Sequence, residues 1–143
     1  MIVPDVNLLV YAVHAESPMH ARAVAWLRGL LDGDEPVGIP WVVSIAFLRL
    51  VTNRRIFADP FPVQDAIAVV DGWYVRRFVS AIDPGPQHWP ILKRLLLASG
   101  TAGNLTSDAH LAAVCIERGA ILHTADADFG RFPGLHWTNP LAE

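Results

Sequence analysis

The chain has a single cysteine, Cys115, and a single lysine, Lys93, among its 143 residues. One cysteine cannot build a disulfide framework, and its apolar helical setting reads as a structural buried thiol in a reducing cytoplasm. With one lysine and no Gly-Lys-Ser/Thr, Walker-type nucleotide binding is excluded. Charged residues make up only 17% of the chain, which excludes a disordered or coiled-coil class. The net charge of -3 leaves no whole-molecule basic field for nucleic acid. The apolar N-terminus has no basic leader and is broken by Pro4, Asp5 and Asn7, so neither a signal peptide nor a membrane span is expected there. What is present is 52% hydrophobic residues, enough for a sizeable core, and a length that predicts one domain over residues 1–143. No repeat, linker or low-complexity segment divides it.

Ile2-Val3-Pro4-Asp5 reads as a short buried strand, and the run from Asn7 as the start of a helix. Ser17-Pro18, read as N-cap and first helical residue, opens a second helix to about Leu31. Val37-Gly38-Ile39 is a strand. Val42 to Thr52 follows as a helix with Ile45, Leu48 and Val51 on one stripe and Arg49 outside it. Helices are expected over Gln64 to Arg77 and Pro86 to Ser99, with a strand at Phe78 to Ile82 between them. The next helix runs from Leu105 or Thr106 to Arg118 and stops at Gly119. Ala120 to Thr124 and Leu135 to Trp137 complete the strands. Short apolar strands alternating with helices predict an α/β fold, a mostly parallel sheet covered by helices on both faces.

Carboxylates gather at the expected carboxyl ends of these strands. Asp5 ends the first, Asp126 and Asp128 follow the one ending at Thr124, and Asp108 lies in the first turn of the helix from Thr106. In an open parallel sheet, ligands bind in the crevice outside those ends. Asp108 shares a helical face with Leu111, Ala112 and Cys115 and should point inward, which is costly for an ion unless it is paired or bound to metal. Two carboxylates about 5 Å apart repel by roughly 3 kcal/mol at an effective dielectric near 20. No lysine or arginine adjoins them in sequence, so a divalent cation is the simplest partner, and all-oxygen ligation suits Mg²⁺ or Mn²⁺ over zinc. Dipole partnership or capping would explain any one of these aspartates; three at one end of a sheet favour the metal reading.

Asp5-Val6-Asn7-Leu8-Leu9 after the first strand, Thr106-Ser107-Asp108-Ala109-His110-Leu111-Ala112 opening a late helix, and Thr124-Ala125-Asp126-Ala127-Asp128-Phe129 after the next strand together resemble the PIN domain. The stretch from Pro40-Trp41 through Phe47-Leu48-Arg49 to Thr52-Asn53-Arg54-Arg55-Ile56-Phe57 is similar to the VapC toxins of mycobacterial type II toxin-antitoxin pairs. The resemblance covers nearly the whole chain. It implies a three-layer α/β/α PIN-like domain and a Mg²⁺-dependent endoribonuclease, with Mn²⁺ as the other candidate ion. Asp5, Asp108 and Asp126 map onto the family's acidic cluster, with Asp128 supporting it as a further metal ligand. Asn7 and Thr124 would orient the carboxylates. It also implies a VapB-like antitoxin as partner, and a homodimer. One departure matters: PIN nucleases usually carry another acid on the helix after the second strand. Here no acid lies between Glu35 and Asp59, and that helix offers Ser44, Ala46 and Phe47. The number of metals is therefore left open, as is the alternative of a catalytically weak RNA- or antitoxin-binding protein.

The chemistry so implied is hydrolysis of an RNA phosphodiester by metal-activated water. Arg49, Arg54 and Arg55 cluster at one helix end and are candidates for gripping phosphate, though cations there would also suit the helix dipole. The six histidines show no zinc-ligand spacing, and His110, two steps from Asp108, is turned away from it. A receiver-like domain would want a lysine after its last strand, but Lys93 lies in a helix. A phosphohydrolase would want Asp-x-Asp after the first strand, where Asp5 is followed by Asn7.

Overall fold

The computed structural model describes residues 1–143. Five strands form one sheet: β1 (Ile2–Pro4), β2 (Val37–Pro40), β3 (Val79–Ile82), β4 (Ile121–His123) and β5 (His136–Thr138). Their order is β3-β2-β1-β4-β5, and every pairing is parallel, where the sequence predicts a mostly parallel sheet. Six α-helices accompany them: α1 (Val6–Tyr11), α2 (His20–Asp32), α3 (Trp41–Val51), α4 (Val63–Tyr74), α5 (His88–Ser99) and α6 (Thr106–Arg118). The chain builds one half of the sheet outward from β1 through β2 to β3, then returns to lay β4 against the other side of β1. The direction of winding therefore reverses between β1 and β4, the place where open α/β sheets leave a crevice.

The central strands β1 and β2 are short, largely buried apolar runs, each followed directly by a helix-starting segment. Val3 and Leu122 are fully buried at the centre, and Ile2, Val3 and Pro4 face Ile121, Leu122 and His123 in register. The 23-residue core cluster draws on the sheet, on Leu9 of α1 and on the helices from α3 to α6, with Phe47 of α3 meeting Trp73 of α4 edge-on at 4.7 Å. Gly100 and Gly119, at φ 72° and 63°, take the left-handed conformation that ends α5 and α6. Glu117 of α6 reaches across to accept from the backbone N–H groups of Gly85 (2.7 Å) and Gln87 (2.8 Å), fixing the approach to α5.

Three local expectations shift. Helix α2 begins at His20, because Ser17 Oγ accepts from the Met19 N–H at 3.1 Å inside a preceding turn and Pro18 lies outside the helix. Helix α4 ends at Tyr74, which leaves Arg76 and Arg77 in the turn before β3. On α3 the buried stripe is Val43, Phe47 and Val51, while Ile45 is 63% exposed. A spacing of three and one of four both fit this apolar helix, and packing against α4 selects the second.

Candidate active site

Asp5 is the first residue after β1 and sits in extended conformation (φ −76°, ψ 147°) at the opening of α1. The residue is only 6% exposed. Fully buried Thr124, the residue after β4, donates its hydroxyl to Asp5 Oδ2 at 2.7 Å. The same hydroxyl oxygen accepts from the Asp126 N–H at 3.0 Å, and Asp126 Oδ1 accepts from the Asp128 N–H at 2.9 Å. A relay of short bonds thus joins the strand ends on the two sides of the switch point. The Asp5 N–H itself donates to His123 O at 2.9 Å, which locks β1 to β4 beneath the carboxylate.

Asp108 enters from the first turn of α6, behind which Leu111, Ala112 and Cys115 are buried as their shared face requires. It lines, with Asp5, a cavity of about 180 Å³ whose other walls are Val6, Val42, Val43, Ala46, Arg49, Ser107 and Leu111. Helix α3 contributes Val42, Val43, Ala46 and Arg49 to the lining and no acid. Of the three α3 residues standing where the family's acid is expected, Ser44 instead bonds to the Tyr74 hydroxyl (2.8 Å) and Phe47 is core.

Burial and neighbouring acids raise the proton affinity of Asp5 and Asp108. Burial pushes the Asp5 carboxyl above its ordinary value, against the opposing pull of the Thr124 bond and the Val6 backbone; Asp126 adds repulsion, and the Asn7 backbone favours the anion. Asp108 is raised too, first by burial and then by Asp126, Asp5 and Asp128, with Arg131 opposing. None of Asp5, Asp108 or Asp126 has a basic group within ion-pair distance, and only exposed Asp128 does, through Arg131 at 3.8 Å. This uncompensated set of oxygen donors fits a hard divalent cation.

The structure does not gather three carboxylates into a ready-made cage: no three His, Cys, Asp or Glu side chains are close enough to share an ion. Asp5 and Asp108 meet in one cavity, while Asp126, turned to the backbone of the 127–131 turn, reaches them through its field. Asn7 is exposed and acts on Asp5 through its backbone and not its side chain. Arg49 lines the cavity; Arg54 and Arg55 stand exposed in the turn after α3, outside the lining.

Two features escape sequence reading. Ser107 joins the cavity wall, signalled only by its place beside Asp108. His88 and His110 pair across α5 and α6, with Nε2 and Nδ1 3.0 Å apart and rings 4.6 Å apart, and nothing in their spacing announces it. Burial, and then His88, lowers the affinity of His110 for a proton. Cys115 is fully buried, and burial pushes its thiol up to about 12, which makes it inert.

Comparison with known proteins places this arrangement. The PIN domain family model matches residues 2–135. Ribonuclease VapC33 of Mycobacterium tuberculosis is 44% identical over 143 residues, covering 100% of both chains, and Ribonuclease VapC37 of the same organism is 41% identical over 142, covering 99% of each. Among solved structures, VapBC2 from Rickettsia felis bound to a promoter DNA fragment aligns at a TM-score of 0.69 and 20% identity, covering 97% of this chain and 98% of that one. The Mycobacterium tuberculosis VapC20, described as a sarcin-ricin-loop-cleaving toxin, aligns at 0.67 and 16%, covering 95% and 99%. With a family model spanning nearly its whole length and full-length relatives above 40% identity, the chain belongs to the PIN-domain family, among the VapC ribonucleases.

Proposed function

We propose that this chain, acting as one PIN-like domain over residues 1–143, is the toxin of a VapBC-type toxin-antitoxin pair, an endoribonuclease dependent on a divalent metal. PIN-domain VapC ribonucleases are generally metal-dependent, and we assign Mg²⁺, with Mn²⁺ able to replace it. The observation that carries the reading is the cavity at the β1/β4 switch point, where Asp5 and Asp108 are brought together without a basic partner. Mg²⁺ is commonly held by one or two carboxylates and keeps several waters, so Asp5 and Asp108 suffice as its direct protein ligands, with Asp126 and Asp128 supplying field and outer contacts.

When bound, the ion supplies Lewis-acid stabilisation of phosphoryl charge and a more acidic water. The chain does the rest. Thr124 fixes the rotamer of Asp5 and, through the Asp126 N–H, spaces the second acidic strand end. The backbone of Val6 and Asn7 favours the Asp5 anion, in part offsetting the burial that raises its proton affinity. Ser107 and Asp108 form the α6 side of the cleft. Water adds in line to phosphorus, the bond to the 3′ oxygen breaks, and the products carry 5′-phosphate and 3′-hydroxyl ends. Arg49, Arg54 and Arg55 contact the RNA backbone.

The test uses purified, antitoxin-free protein and RNA, with Mg²⁺, with Mn²⁺ and with EDTA. Cleavage should require metal and vanish in Asp5→Asn and Asp108→Asn; full activity in either variant refutes the assignment. A second reading, RNA or antitoxin binding with little catalysis, is favoured by Ala46 standing on the wall where the family places an acid; RNA bound but uncleaved with either metal would select it. A VapB-like antitoxin is the proposed partner, supported by toxin-antitoxin complexes among the related folds. A homodimer is proposed through exposed Trp41 and Ile45 of α3 and Val63 and Ile67 of α4. No helix is long and apolar enough to cross a membrane; with the lone buried Cys115, this supports a cytoplasmic location as part of the proposal.

A further inference from the structure

We infer that this site takes one divalent cation and that the Arg49 guanidinium supplies the second positive charge on the scissile phosphate. The inference rests on the ribonuclease reading above and concerns how its cleft is charged. A second ion needs carboxylates of its own, and the cavity lining offers only two acids, Asp5 from the end of β1 and Asp108 from α6. The α3 wall contains no acid; its cavity residues are Val42, Val43, Ala46 and Arg49, spaced three and four apart so that they share a helical face. A divalent ion against that wall would meet three aliphatic side chains and a cation. Arg49 is the one basic residue of the lining. It is exposed and forms no ion pair, neither with Asp5 or Asp108 across the cavity nor with any other acid. Its fork is therefore free to take two oxygens of a phosphate lying between it and an ion on the carboxylate side.

The geometry also explains why the guanidinium does not simply neutralise the acids. It lines the cavity from the last turn of α3 and the carboxylates line it from the end of β1 and from α6, with no ion pair formed between them. Charge separation of this kind holds an anion that neither wall would hold alone, because a phosphate is attracted to the ion and to Arg49 together.

Two measurements test this. Mn²⁺ titrated calorimetrically into the antitoxin-free protein should bind at one ion per chain, in the wild type and in Arg49→Ala alike. In the uncleaving Asp108→Asn background, Arg49→Ala should weaken binding of a single-stranded RNA by about tenfold and reduce the salt dependence by about 0.7 in log-log slope, the value for one phosphate contact, with Arg49→Lys recovering part of both. Two ions per wild-type chain, or RNA affinity and salt slope unchanged in Arg49→Ala, would overturn the inference. Either result, with cleavage still abolished by Asp5→Asn, leaves the ribonuclease assignment standing; cleavage surviving Asp5→Asn removes that assignment itself.

Discussion

Replacing Asp5 by asparagine should make the metal-free protein more stable while removing its response to metal. Asp5 is 6% exposed, has no basic partner, and burial is the largest of the influences raising its proton affinity. In the folded chain it binds a proton at higher pH than its ordinary value of 3.8, so the native state binds more protons than the unfolded one between those two pH values. Stability is thus lost as pH rises through that window, and the loss persists at neutral pH. Asparagine keeps an oxygen to accept from Thr124 and removes the buried charge. Partial compensation by the Thr124 bond limits the gain to about 1 kcal/mol, of the order of one hydrogen bond. For a chain of this size that is roughly 3 °C in Tm. Added Mg²⁺ at ten times its Kd should stabilise the wild type by about 1.4 kcal/mol and the variant not at all. Thermal melts at neutral pH, with EDTA and with Mg²⁺, should therefore show the two proteins changing order. A metal-free Asp5→Asn protein that melts below the wild type would refute the reasoning, since Asp5 would then be a structural anchor and not a strained functional charge.

Thr124→Val removes both the donor to Asp5 and the acceptor for the Asp126 N–H; a loss of about 1–3 kcal/mol in urea unfolding is expected, with Thr124→Ser close to wild type. Losing that bond also raises the proton affinity of Asp5, so in Thr124→Val the pH at which metal binding sets in should move upward, measured by Mn²⁺ titration across pH. His110 and His123 are both depressed below 6.5, chiefly by burial. Their contribution to stability is complete above 6.5 and is lost as pH falls through the folded values, so the urea midpoint should drop between neutrality and pH 5, and less steeply in His110→Gln. Gly119→Ala meets no neighbour within 4 Å but imposes φ 63° on a side chain, so a cost of about 1 kcal/mol with an unchanged fold is expected by calorimetry.

The elements were largely legible because their signals are local. Glycine at the ends of α5 and α6, the apolar runs of β1 and β4, and the inward face of Asp108 all depend on residues a few positions apart, and the structure places them accordingly. Misreadings occurred where two local rules compete. Ser17-Pro18 has the form of a helix start but closes a turn, and the apolar α3 fits more than one stripe. Sequence pattern and resemblance together also marked Asp5, Asp108, Asp126 and Thr124 as a group, although they lie up to 121 positions apart.

How that group is arranged was not available from the chain alone. Strand order 3-2-1-4-5 sets β1 beside β4, and only this adjacency turns Thr124 into a bridge between Asp5 and Asp126. The rotation of α3 about its own axis, fixed by Phe47 against Trp73, decides that Ala46 and Arg49 line the cavity that Asp5 and Asp108 share, while Ile45 is exposed. The His88–His110 pair likewise exists only because α5 and α6 pack together. Composition and periodicity determine what each segment becomes, since those forces act within a turn or two of chain. Which charges share a cavity depends on packing between distant segments, and that is decided by the tertiary structure.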